Sequence, residues 1–204
     1  MLKFITNRKW WKNRKIDFKT HYWADHPHRN VIIQALKNIK FGSIIEIGCA
    51  SGYNLHKIRE NFPNVEIGGV DINADAIETA KKLLPLNTAV LEVSPANKLF
   101  LSDLSCDIIL TDACLIYIDP FNIDKVIKEI KRVARTNILF MELHSRSWWT
   151  RLKVRLFDGY NLYNYHELLK KHGFYNIEIL KLSKNDWKGS PWEQHGHIIS
   201  AKKL

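Results

Sequence analysis

The sequence predicts an α/β fold: a mostly parallel seven-stranded sheet with helices on both faces, ending in an antiparallel C-terminal strand pair. Three observations predict it. Short runs rich in Ile, Val and Leu alternate with helix-period segments over residues 43–142, the pattern of a parallel sheet covered on both sides. A glycine-bearing turn follows the first run and leads into a helix, an arrangement that lets a ligand approach the backbone. Two further strand patterns close the chain, joined by a polar, Trp-containing loop.

Five strands fall at Ser43–Ile47, Val65–Asp71, Ala89–Val93, Asp107–Thr111 and Asn137–Glu142, with helices at Asn54–Asn61, Ala74–Leu84 and Ile123–Arg135. In the last helix Val126, Ile127, Ile130 and Val133 share one face and read as core. Residues 145–164 form an insert dense in Arg, Lys, Trp and Tyr; Tyr165–His172 then reads as a helix closed by Gly173 in a left-handed cap. Asn176–Leu182 and His197–Lys202 supply the last two strands. The expected organisation is one domain over residues 1–204, with 1–40 as an N-terminal cap and 145–164 as an insert near the substrate site.

The 204 residues are 46% hydrophobic and 25% charged, which excludes a disordered chain. The opening MLKFITNRKWWKNRK lacks the apolar core of a secretory signal, and no apolar run is long enough to span a bilayer. The expected compartment is therefore cytoplasmic, and peripheral membrane contact stays open. Cys49, Cys106 and Cys114 have neither paired nor metal-like spacing, so a disulfide framework or a zinc site is not favoured. His21, His26 and His28 lie near Tyr22, Trp23 and Arg29, but no acid or cysteine spacing completes a metal set.

Charge is unevenly divided. Residues 1–40 carry ten Lys/Arg against two Asp/Glu, residues 41–130 seven against thirteen, and residues 131–204 fourteen against six. Basic flanks around an acidic middle fit an anionic partner met by the flanks, or equally a solvated surface. The pairs Trp10–Trp11 and Trp148–Trp149 sit among these cations; such clusters suit base or sugar stacking or a membrane interface. The competing reading packs one Trp of each pair between cap and insert.

The turn Glu46-Ile47-Gly48-Cys49-Ala50-Ser51-Gly52-Tyr53 discriminates between two nucleotide-like ligands. A dinucleotide fingerprint needs glycine at its first, third and sixth places, which here hold Gly48, Ala50 and Tyr53. A carboxylate at Glu46 would oppose a diphosphate and favour an ammonium; at about 4 Å in partly screened surroundings a unit charge pair is worth roughly 4 kcal/mol. Asp71, ending the second strand, can accept both hydroxyls of a ribose. It can also serve as a helix cap, although Asn73 or Asp75 could fill that role.

With the motifs EIGCASG and VDIN, the chain resembles the class I S-adenosylmethionine-dependent methyltransferases from about Ser43 to Glu142, and again at Glu167–Phe174. The resemblance implies a Rossmann-like fold and S-adenosylmethionine as cofactor. It places Glu46, Gly48, Cys49 and Gly52 around the methionine part, Asp71 and Ile72 at ribose and adenine, and Ser94 and Pro95 beside the adenine. The segment Val93–Asn97 lacks the acid this family usually offers there, and Ala50 stands where glycine is commoner.

The methyl group should face Thr111–Tyr117. No Asn/Asp-Pro-Pro-Tyr loop of base-modifying enzymes is present there. A hydroxyl acceptor benefits from a general base. His144 and Asp112 are the catalytic candidates, against readings as a backbone-bonded loop histidine and as a cofactor ligand or loop-ordering carboxylate. The stretch Cys114–Pro120 resembles sugar-modifying bacterial relatives. The leading expectation is thus O-methylation of a small-molecule, possibly anionic acceptor such as a sugar or glycan intermediate. The alternatives are an RNA methyltransferase, with nucleic acid as partner, and a non-catalytic cofactor-binding scaffold.

Overall fold

In a computed structural model, which describes residues 8–15, 17, 25–84 and 90–203, the β-rich runs form one seven-stranded sheet. Its strands are β1 (Ser43–Ile47), β2 (Glu66–Asp71), β3 (Val90–Val93), β4 (Cys106–Asp112), β5 (Ala134–Leu143), β6 (Phe174–Lys181) and β7 (Gly196–Lys203), ordered β3-β2-β1-β4-β5-β7-β6. The first five run parallel, and β7 inserts antiparallel between β5 and β6. The expected fold class is what the chain adopts. His21 and Ala89 lie outside the described residues.

Helices cover both faces. On one side α2 (His28–Leu36), α3 (Tyr53–Asn61) and α4 (Ala74–Leu83) bury Ile32, Leu36, Leu55, Ile58 and Ile77 against the sheet. On the other, α5 (Ile123–Val133) and α7 (Tyr165–Lys171) bury Val126, Ile130, Val133, Tyr165 and Leu169. The face formed by Val126, Ile127, Ile130 and Val133 is fully buried. Two shorter helices, α1 (Arg8–Asn13) and α8 (Trp192–His195), and a helix α6 (Trp148–Phe157) are the other α-helices among the described residues.

Three boundaries differ instructively. The helix expected to reach Arg135 stops at Val133, because Arg135 pairs with Asp107 and Thr136 Oγ1 donates to the Asp107 carbonyl at 2.9 Å. These contacts dock residues 134–136 onto β4 as strand. The insert contains a ten-residue helix, α6, whose N-cap Ser147 accepts from the Thr150 N–H. Apart from Val154 its apolar residues face outward, so no inward-facing period announced it. Within the cap segment, α2 is a core helix whose Leu36 is wholly buried. Gly173 closes α7 at φ +74°, as its sequence position requires.

The sheet order reverses at β1 and β4, and the crevice beyond the carboxyl ends of strands at such a switch point is where α/β sheets bind ligands.

Candidate functional site

A cavity of about 620 Å³ opens there, and its two ends differ chemically. One end is the turn after β1. Gly48, at φ +77°, would place a Cβ 2.5 Å from Cys114 Sγ, so both the conformation and the space demand glycine. The N–H groups of Gly48 and Cys49 donate to the Val70 carbonyl at 2.7 and 3.1 Å, tying the turn to β2. Gly52, at φ +81°, starts α3 with Leu84 Cδ1 3.0 Å from where its Cβ would stand.

Asp71 braces this turn. One carboxylate oxygen accepts from the Ala50 N–H at 3.0 Å and the other from the Asn73 N–H at 2.8 Å. Burial raises its pKa above the ordinary aspartate value. The cap on α4 is Asn73, whose side chain accepts from the N–H groups of Asp75 and Ala76; Asp71 is thereby left bordering the cavity. Ile72, Ser94 and Pro95 border it too, and the Ser94 N–H donates to the Asp71 carbonyl at 2.8 Å.

Under the cavity lies a buried polar network. Asn54 Nδ2 donates to Glu46 at 2.6 Å and to Asp112 at 2.8 Å, while Asn54 Oδ1 accepts from Arg29. His28 Nε2 meets the same Asp112 oxygen at 2.8 Å, and His28 Nδ1 meets His26 Nδ1. Burial pushes the Glu46 carboxyl up to about 8. At Asp112 burial acts the same way, but adjacent His28 and Arg29 outweigh it and hold the carboxyl below its ordinary value. One oxygen of Glu46 and one of Asp112 are buried with no hydrogen-bond partner among the described residues. A buried acceptor left unmatched costs about 1–3 kcal/mol; of the two residues, Asp112 lines the cavity and can take a donor from a ligand there.

The other end is aromatic. Trp11 packs on Tyr117 at 4.5 Å between ring centroids, and Tyr117 meets Tyr160 at 5.8 Å. Trp187 stacks on Trp192 at 3.8 Å and on His28 at 4.4 Å. Glu142, fully buried in β5, accepts the N–H groups of Cys114 and Leu115 at 3.0 and 2.9 Å and of Ile116 at 3.3 Å. It thereby fixes the turn that carries Tyr117.

Gly48, Cys49, Asp71, Ile72, Ser94, Pro95 and Asp112 thus surround one cavity. Glu46 and Gly52 support it without lining it; Glu46 acts through Asn54. His144 is not brought to the cavity: its Nδ1 accepts from the Tyr165 N–H at 3.2 Å, and burial lowers its pKa to about 4. Arg146, Arg151, Lys153 and Arg155 also lie outside the lining. Of the Trp pairs, Trp11 packs inward as one reading required, whereas Trp148 and Trp149 are both exposed and stack on each other at 4.3 Å. Sequence reasoning gave Asn54, Trp187 and Trp192 no role. Asn54 had a signal, being two residues past the last glycine of the turn; the tryptophans had none. Among the described residues no His/Cys/Asp/Glu group fit for a metal ion occurs.

A crevice at the switch point, a glycine turn without room for a side chain and a carboxylate at the tip of β2 place the chain in the α/β class with a ligand crevice at the strand ends. Residues 40–196 match the family model described as a methyltransferase domain, and the chain belongs to that family. It is 28% identical over 184 residues to a malonyl-[acyl-carrier protein] O-methyltransferase of Priestia megaterium, covering 79% of this chain and 65% of that one. It is 29% identical over 73 residues to the ribosomal RNA small subunit methyltransferase C of Buchnera aphidicola, covering 36% of this chain and 22% of that one. A solved structure of Haemonchus contortus phosphoethanolamine N-methyltransferase 2 with S-adenosyl-L-methionine superposes with a TM-score of 0.70 at 18% identity, over 96% of this chain and 59% of that one. The chain therefore spans between about a fifth and two-thirds of the curated relatives just named.

Proposed function

We propose that the chain is an S-adenosylmethionine-dependent methyltransferase that methylates a hydroxyl of a small molecule, such as a sugar or glycan intermediate. The observation that carries this reading is the single cavity with a polar glycine-turn end and an aromatic end. The residues present fit the cofactor. Arg29 and Asn54 on the lining give the glycine-turn end the polar groups an amino-acid moiety needs, with Glu46 held beneath Asn54, and the turn brings the Gly48 and Cys49 backbone to the cavity wall. Gly48, Cys49, Asp71, Ile72, Ser94 and Pro95 would hold it, with Arg29 and Asn54 beside its amino-acid end. When bound, the cofactor supplies a methyl group on a sulfonium, which needs an in-line nucleophile and little else.

The chain's own residues do the positioning. Asp112, kept ionised by His28 and Arg29, turns its unmatched oxygen to the acceptor hydroxyl and receives its proton late in the transfer. Ring faces at Tyr117, Tyr160 and Trp187 hold an apolar ring face and exclude water. Residues 145–164 and the segment before α2 border this end through Tyr160 and Trp11, which supports the expected roles of insert and cap.

Thermal melting tests the cofactor assignment. S-adenosylmethionine or its demethylated product should raise Tm and NAD should not; a larger shift with NAD overturns it. Transfer of a labelled methyl group to hydroxyl-bearing metabolites, with product profiling, tests the acceptor class.

A further inference from the structure

Helix α6 is built the wrong way round for a helix that serves only its own core. Trp148, Leu152 and Leu156 recur at i, i+4 and i+8 on one stripe, and Trp149 falls beside them. All four are exposed, Trp148 at 59% and Trp149 at 64%, and Phe157 ends the helix at 77%. Val154, on the opposite side, is the one buried residue of the helix. Basic residues flank the stripe: Lys153 on one side, Arg151 and Arg155 on the other, with Arg146 just before the N-cap. The helix contains no acidic residue.

We propose that α6 is an interfacial helix that docks the enzyme on an anionic lipid bilayer. An outward stripe of Trp, Leu and Phe bordered by Lys and Arg is what a helix lying in the headgroup region presents: rings and aliphatic chains enter the acyl boundary while cations meet lipid phosphates. A nucleic acid would use the cations and stack on the tryptophans, but it offers nothing to Leu152 and Leu156. Charge and apolar shape together therefore select the bilayer. The location agrees. Tyr160, three residues past the helix, lines the aromatic end of the cavity and leads through Tyr117 to Trp11. Trp10, 44% exposed, adjoins Trp11 at 4.8 Å. Docking through α6 brings the acceptor end close to the membrane surface, where an amphiphilic acceptor would be concentrated.

The test is co-sedimentation of the full chain with phosphatidylcholine vesicles, with and without phosphatidylglycerol, and in parallel binding to polyuridylate. Partitioning onto the anionic vesicles should exceed that onto neutral ones by roughly tenfold or more. Leu152→Asn with Leu156→Asn should lower it roughly tenfold with unchanged circular dichroism and melting. Both leucines are already exposed, so the variant tests the surface and not the core. Brominated acyl chains should quench tryptophan emission in the native protein and much less in Trp148→Leu/Trp149→Leu. Equal partitioning of native and leucine-variant protein overturns the proposal. So does binding to polyuridylate, steeply weakened by salt, with no vesicle binding. Because these are binding measurements without cofactor or acceptor, failure here leaves the methyltransferase reading untouched, and the converse holds.

Discussion

The two ends of the cavity are made in opposite ways. The glycine-turn end comes mainly from one continuous stretch, β1 to α3, with the tips of β2 and β3; its geometry is fixed by backbone groups, as in the Val70 carbonyl that takes both Gly48 and Cys49 N–H groups. The aromatic end is assembled from side chains at positions 11, 117, 160, 187 and 192, which belong to four separate segments. The first end has little freedom to vary because steric limits act on the main chain. The second can exchange one ring for another without moving the sheet. A site of this design can keep its first end while its second end changes; the names of the similar proteins mention a carrier-bound acid, an RNA and phosphoethanolamine.

Four measurements can break or sharpen this contrast. The largest effect is expected for Gly48→Ala, which sets a methyl group against Cys114 Sγ at a positive φ. Calorimetry should show cofactor affinity reduced by roughly a hundredfold or more, since the clash adds to about 1–2 kcal/mol of left-handed strain; near-native affinity would remove the steric argument. Next comes Asp112→Asn. Steady-state turnover should fall by roughly 10²–10⁴ if the carboxylate receives the proton, whereas His144→Asn should change it by less than about threefold, consistent with its place outside the cavity. A larger loss in the His144 variant would return that histidine to the chemistry.

At the aromatic end, Trp187→Leu should raise the acceptor KM by roughly three- to tenfold, the worth of about 0.5–1.5 kcal/mol for an aromatic pair, with cofactor Kd unchanged. An equal loss for both ligands would mean that the two ends are not separable. The last effect concerns pH. The Glu46 carboxyl titrates near 8 in the fold against an ordinary 4.5. Its contribution to stability is therefore full below about 4.5 and is lost as pH rises through about 8. Without ligand, the native protein's Tm should decline more steeply than that of Glu46→Gln between about pH 5 and 8.5. His26 and His144, lowered to about 4, act in the opposite sense on the acid side and are common to both proteins. Parallel Tm–pH curves would show that Glu46 is ionised in the fold.

The contrast also explains what was legible in the sequence. Strand positions and the turn could be read because hydrophobic period and glycine placement are local signals; the fold brings Gly48, Asp71 and Asp112 to one cavity. Glu46 was recognised for its charge, yet its route to the cavity through Asn54 is a tertiary fact. His144 looked like a base because it follows β5, but the backbone of Tyr165 takes up its ring nitrogen. Trp187 and Trp192 reach the cavity because the loop before β7 packs onto His28 of α2, and no spacing encodes that. Helix α6 escaped notice because its apolar stripe points away from the core, and an expectation built on inward burial has no place for such a helix.

The position of β7 carries a consequence for folding. β7 follows β6 in the chain yet lies between β5 and β6, so β5 has its second neighbour only once residues 196–203 have docked. Until then the chain holds an open edge along Ile138–Leu143, residues that are buried in the finished sheet. Such an edge is a template for pairing with other chains. β7 thus acts as a latch: Ile198, Ile199 and Ala201 seal the edge, and the Lys203 ammonium donates to the Ala134 carbonyl at 2.8 Å, at the opposite end of β5 from the crevice.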